Sequence, residues 1–241
     1  NFCFNTDFSS LGSRITYAQG KTGGLLNKEY SQIYAGNIIK TNTDYSYYDT
    51  GSNPNYLLKQ AQVTTSEEDV FKKEVFTYPI SGPLYNANII ANPIETKTFK
   101  NNNLLSRQKT IYSGIYPSKI QTSKGTSNLE DRLLFERYKY GNLVQVKQVN
   151  GTSTAYLWGY EGKHVVAKVE NATYAQIEQL SVFGSNTNLI SNLSDAQETA
   201  LRNISNAMVT TFKYIPQIGV TSITDPRGRT VFYEYDEFNR L

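Results

Sequence analysis

Residues 143–170 read LVQVKQVNGTSTAYLWGYEGKHVVAKVE. Apolar, β-branched and aromatic residues alternate with polar ones in three runs, 143–149, 154–160 and 163–170, which is the period of a half-buried strand. Asn150-Gly151 separates the first two runs and Glu161-Gly162 the second two. Such dipeptides accept the left-handed backbone that closes a tight hairpin. The stretch therefore predicts a three-stranded antiparallel meander. Tyr156, Trp158 and Tyr160 are expected on one face of its middle strand, and Val165, Ala167 and Val169 on one face of the next.

Working outward, the same pattern recurs on both sides. Strands are expected at 14–19, 56–64, 70–78, 94–100, 104–112, 118–123 and 132–138, and again at 209–215, 218–224 and 230–236. Residues 41–55, rich in Asn, Asp, Ser and Tyr, read as a long loop, and 86–93 and 101–103 as breaks. Between 170 and 209 the period changes. Thr173-Tyr174-Ala175-Gln176 and Ser194-Asp195-Ala196-Gln197 both match the capping box, in which a hydroxyl caps the third amide and Gln reaches back. Tyr174, Ile177 and Leu180 follow the first at helical spacing. Ala200, Leu201, Ile204 and Met208 follow the second, predicting a helix of about three to four turns. A helical hairpin at about 173–207 is thus inserted into a β chain, its apolar faces turned to the sheet.

Composition removes many functions. The chain has 241 residues, is 39% hydrophobic and 19% charged, and carries a formal charge of +3. That charge is small and scattered (Lys72-Lys73, Arg227, Arg229), so no nucleic-acid face is expected. No apolar run reaches the length of about 20 residues that a membrane-spanning helix needs. The only cysteine, Cys3, lies between Phe2 and Phe4 and reads as a small apolar residue; alone it makes neither an intrachain disulfide nor a thiolate zinc site. No signal peptide is visible in residues 1–10. No cofactor and no metal ligand set is expected.

Near the C-terminus, residues 225–241 read DPRGRTVFYEYDEFNRL. The run Asp225-Pro226-Arg227-Gly228 is a turn: Asp opens it, Pro presets φ, and Gly takes the last position. With Arg229, Tyr233, Tyr235, Asp236, Asn239 and Leu241, the segment resembles the YD repeat of Rhs and wall-associated bacterial proteins, in which Asp-x-x-Gly and Tyr lead to Tyr-Asp-x-x-Gly-Arg-Leu. Asn239 stands where Gly is usual; Asn also tolerates the left-handed conformation. A weaker copy is Tyr138-Lys139-Tyr140-Gly141-Asn142-Leu143, with Lys139 in place of the Asp. The block containing Tyr156, Trp158 and Tyr160, the helical insert and the strands after it is similar to large Rhs-type proteins of Bacteroidetes. The resemblance covers residues 133–241. It implies a mainly β, antiparallel, spiralling YD-repeat sheet with one two-helix insertion, in which 1–132 is a β-rich segment continuing the shell. It further implies a non-catalytic scaffold of a secreted or cell-surface bacterial protein, whose β-shell encloses, displays or delivers an effector (toxin) segment. Export in Bacteroidetes commonly uses the type 9 route. Implied partners are further repeats of a longer chain, an enclosed effector and the secretion machinery. Period-2 strands cannot bury their aromatic face alone, so the chain is expected to be a fragment of a longer protein.

Other groupings read more simply. His164 is the only imidazole, at the start of a hairpin strand with Ser153 near in sequence; no nucleophile-elbow motif accompanies it, and no catalysis is expected. Asp225-Pro226 resembles the self-cleavage sites of toxin-bearing Rhs cores but reads as an ordinary turn. Glu67-Glu68-Asp69 lacks the spaced ligands of a calcium loop and reads as a solvated turn. The rival from another class is a surface adhesion or carbohydrate-binding module that uses Tyr156, Trp158, Tyr160, Tyr233 and Tyr235 as an exposed aromatic platform.

Overall fold

A computed structural model describes residues 15–22, 25–35, 37–48, 56–66, 72–184, 187, 189 and 191–240. Cys3, Glu67-Glu68-Asp69 and Leu241 lie outside the described residues. The chain divides into two compact units, Asn1–Asp131 and Arg132–Leu241. Both are mainly β and antiparallel.

In the first unit the strands are β1 (Ile15–Thr22), β2 (Leu25–Ala35), β3 (Asn37–Tyr47), β4 (Leu58–Thr65), β5 (Lys72–Thr77), β6 (Glu95–Lys100), β7 (Asn103–Ser113) and β8 (Tyr116–Lys124). Each pairs antiparallel with the next. The expected loop at 41–55 is corrected: 41–47 belong to β3, which is hydrogen-bonded to β2 on one side and β4 on the other. Its polar side chains hide the strand from a hydrophobicity pattern, but the ladders satisfy its backbone all the same. A short helix, α1 (Gly82–Asn86), lies between β5 and β6, started by Pro83 at its first turn and burying Leu84.

The second unit continues the plan with β9 (Glu130–Lys139), β10 (Asn142–Gln148), β11 (Ser153–Gly159), β12 (His164–Glu170), β13 (Met208–Ile215), β14 (Gly219–Thr224) and β15 (Thr230–Phe232). Sequential neighbours again pair antiparallel. Between β12 and β13 lie α2 (Tyr174–Glu178), a 3-10 turn (Ser181–Phe183) and α3 (Asp195–Arg202). Both capping boxes form: Thr173 with Gln176, and Ser194 with Gln197. The helices are shorter than expected. Asn203 caps α3, Asn206 adopts φ +61°, and Met208 pairs with Glu170 as the first residue of β13 instead of extending the helical stripe.

The core of this unit sits between the sheet and the insert. Ala155, Leu157, Ala167, Val169 and Val209 face Tyr174, Ile177, Phe183 and Leu201, all buried. A β-bulge sets that face. Leu157 pairs with Ala167 but Trp158 pairs with Val165, leaving Val166 as the extra residue. Val165, Ala167 and Val169 therefore do not share one face: Ala167 and Val169 point to the core while Val165 lies with Trp158. Glu161-Gly162 closes no two-residue turn either. Tyr160, Glu161 and Gly162 all have positive φ in a four-residue loop between Gly159 and His164. The last strand is also shorter than the expected 230–236, ending at Phe232 with one further bond from the Tyr233 amide to the Thr221 carbonyl.

Candidate functional site

The residues singled out near the C-terminus build one small structure twice. In the first copy the Asp225 Oδ1 accepts from the amides of Arg227 (2.8 Å) and Arg229 (2.9 Å), and Oδ2 accepts from the Arg229 guanidinium at 2.8 and 2.7 Å. The Gly228 amide returns to the Asp225 carbonyl, with Gly228 at φ +80°. In the second copy the Asp236 Oδ1 accepts from Phe238 (2.8 Å) and Arg240 (2.9 Å), and Oδ2 from the Arg240 guanidinium at 2.8 and 2.7 Å. Asn239 takes the place of Gly228 at φ +57°, and its amide returns to Asp236. The amide of Arg229 holds the Asp225 carboxyl below the usual range, followed by its side chain; the Arg240 amide does the same for Asp236. Proline is absent from the second copy, so the carboxylate–arginine lock, not Pro226, is what defines the turn. Replacing Asp236 by Ala should speed amide exchange at Phe238 and Arg240 while leaving Arg227 and Arg229 protected; loss of protection in both turns would contradict two independent locks.

Arg240 is absent from the residues the sequence reading selected, although its spacing from Asp236 equals that of Arg229 from Asp225. Gly219 is another omission. Tyr235 donates from its hydroxyl to the Val220 carbonyl at 3.0 Å, and its ring end occupies the space a Cβ on Gly219 would fill. Tyr233 and Tyr235 are both half-buried, whereas Phe232 and Phe238 are each 75% exposed. The weaker copy differs in kind. Tyr140 (φ +52°) and Gly141 (φ +82°) form a two-residue hairpin turn between paired Lys139 and Asn142, with no carboxylate at its centre.

Tyr156, Trp158 and Tyr160 do not form a single platform. Tyr156 lies on the sheet face away from the helices. Trp158 donates from its indole to the Leu143 carbonyl at 2.9 Å. Tyr160, turned by its positive φ, donates to the Tyr214 carbonyl at 2.8 Å and contacts Asn192 at 2.7 Å. His164 stacks on the Tyr214 ring at 4.7 Å and meets Tyr160 edge-on at 5.4 Å. Its register partner is Gly159, six residues along β11 from Ser153, or about 20 Å. The two residues of the imagined triad are therefore not brought together.

The face bearing Tyr156 carries Leu133, Phe135, Val146 and Met208 beside an ion pair, Lys168–Glu170 at 2.9 Å, and forms a shallow hollow of about 570 Å³. The opposite face holds the insert through charge. Glu178 of α2 accepts from Lys139 at 2.9 Å and Arg137 at 2.6 Å. The Lys139 ammonium keeps its carboxyl below the ordinary range, Arg137 adds to this, and partial burial opposes both. A carboxyl lowered in the folded state stabilises it above the unfolded value, about 4.3, and loses that contribution as pH falls through the folded value. Glu178→Gln should cost about 1 kcal/mol at neutral pH, since water still reaches the pair. The deficit should shrink as pH falls from about 6 to about 3 in parallel urea titrations; a pH-independent deficit would show packing loss instead. On α3, Arg202 pairs with Glu198 at 2.7 Å and donates to the carbonyls of Val209 (3.2 Å) and Asp225 (3.1 Å), joining the insert to the first locked turn.

Among the described residues, no group of three or more His, Cys, Asp or Glu is placed to hold a metal ion. Nor is any helix long and apolar enough to cross a membrane, which leaves strands aside. No protein-family model matches the chain, and none of the curated proteins matches it.

Proposed function

We propose that this chain is a wall segment of an Rhs/YD-repeat β-shell: a non-catalytic scaffold of a secreted or outer-surface bacterial protein that encloses, displays or delivers another polypeptide segment. The observation that carries the reading is the pair of Asp–x–x–Gly/Asn–Arg turns eleven residues apart, at 225 and 236, each closed by the same four donors to one carboxylate. A repeated lock is what a repeat-built sheet needs, because each unit must present the same turn to its neighbour. The strict succession of antiparallel neighbours in each unit supports it further. So does the two-sided character of the second unit, with the insert on one sheet face and a half-exposed mixed face opposite. The enclosed partner, the further repeats and the export route belong to this proposal. Cryo-electron microscopy of the complete gene product tests it. Strands winding round an internal volume that holds a polypeptide are the expected result, and a compact body enclosing nothing would refute it.

One observation favours a second reading, a carbohydrate-binding module. The hollow on the open face joins Tyr156 and Phe135 to Gln148, Thr152, Lys168 and Asn171, an aromatic floor with polar edges of the kind that takes a sugar ring. A glycan array separates the two readings: saturable binding lost in Tyr156→Ala supports the module, and no binding leaves the wall.

A further inference from the structure

The first unit contains a hollow of about 570 Å³ that neither reading uses. It lies where the chain leaves β5, passes through α1 and returns beside β7. Its walls are flat and apolar, built mainly by Tyr48, Tyr78, Pro79, Pro83, Ile94 and Tyr112, with Leu84 of α1 also lining it. Among the described residues, no Lys, Arg, His, Asp or Glu lines it. The walls are held in place. Tyr48 donates from its hydroxyl to the Phe76 carbonyl at 2.9 Å and meets the Tyr78 ring edge-on at 5.9 Å. Ile80, at the rim, stays 79% exposed instead of folding in to fill the space.

Tyr78 is only 8% exposed and lines the hollow, where a phenol can donate to an acceptor held against the wall. Burial, and then the neighbouring Tyr48, raise its pKa, so the phenol stays protonated and offers a donor.

We propose that this hollow is a binding site for a neutral, ring-containing small molecule bearing a hydrogen-bond acceptor, with Tyr78 donating to that acceptor. Rings suit the tyrosine and proline walls, which stack on flat apolar surfaces. A charged ligand would lose its hydration here with no counter-ion in the lining to replace it. The volume falls within the range of pockets that enclose small organic ligands. The site lies wholly in the first unit and is independent of the wall reading.

The test uses the 241-residue chain and the naphthalene ketone Prodan, a neutral bicyclic probe whose carbonyl is an acceptor and whose emission moves to the blue in apolar surroundings. Saturable, one-to-one binding with blue-shifted emission is expected. Tyr78→Phe removes only the donor and should weaken binding about fivefold. Thr110→Trp, placed on β7 at the cavity wall, should fill the volume and weaken it by about tenfold or more. Ile80→Glu alters an exposed rim residue, so the fold is kept, and brings an uncompensated charge to the mouth; it should also weaken binding. The anionic analogue anilinonaphthalene sulfonate should bind about tenfold or more weakly than Prodan. Absence of saturation, unchanged affinity in Tyr78→Phe and Ile80→Glu, or equal affinity for the anionic probe would each overturn the assignment.

Discussion

Leu201→Ala should lower the stability of the second unit by about 2–5 kcal/mol. Leu201 is fully buried, the only buried residue of α3, and sits in a core with Leu157, Val169, Val209, Tyr174 and Ile177. Its loss removes the apolar contact and leaves a cavity. The rest of the helix cannot collapse freely into it, because Arg202 is tied to the carbonyls of Val209 and Asp225. A domain of this size is stable by about 5–15 kcal/mol, so the change is a large share of the total. The measurement is convenient: Trp158 is the chain's one tryptophan and lies in this unit, packed against the core. Its emission during urea titration should show a lower midpoint with an unchanged slope. A shift under about 1 kcal/mol would mean that α3 is not part of the cooperative core.

What could be foreseen from the residues follows from where their physical signals are local. The β10–β12 meander announces itself through alternation and through Asn150-Gly151, because a connection and its flanking strands lie within one short window, although the connection spans residues 148–152 and only Asn150 of the pair is left-handed. The insert announces itself through Thr173 and Ser194, whose capping boxes need only the next three residues. Non-local effects are less visible. β3 carries Thr41, Asn42, Asp44 and Ser46, and it is a strand because β2 and β4 supply hydrogen bonds on both sides, not because its side chains demand it. Met208 fits a helical stripe by spacing and a strand by pairing, and pairing with Glu170 wins. Val166 upsets the facing of β12 because a bulge adds a residue without any mark in composition. The candidate site divides likewise. Asp225 and Gly228 are legible as turn chemistry, and Asp236, Asn239 and Arg240 only as positions of the Tyr-Asp-x-x-Gly-Arg-Leu motif. The bonding of Arg240 to Asp236 needed the two turns to be compared, and Gly219 needed Tyr235 to be seen lying over it. The Tyr78 hollow joins residues from 48 to 114, a span no motif describes.

Gly159→Ala is the second change expected to have a large effect, and it acts on the insert from the opposite side. Gly159 ends β11 without a positive φ, so its need for glycine is not conformational. It comes from space. A Cβ there would lie 2.3 Å from the Ser191 carbonyl oxygen and 2.5 Å from Cγ1 of Val166, well inside contact distance. Val166 could change rotamer, but Ser191 is backbone. It belongs to the connection leading to α3, which is pinned by the Leu189 amide on the Trp158 carbonyl and the Glu161 amide on the Leu189 carbonyl. Relief therefore requires the connection to lift, breaking those bonds. Overpacking of this kind costs about 1–3 kcal/mol, and displaced backbone places this site at the upper end. Amide exchange at Leu189 and Glu161 should accelerate more than the global stability loss requires, because the damage begins locally. Combining the change with Val166→Ala should give a loss smaller than the sum of the two, since one of the two collisions is then gone and only the backbone one remains. Strict additivity, with Leu189 and Glu161 exchanging as in the parent, would mean that the connection does not rest on β11 at all.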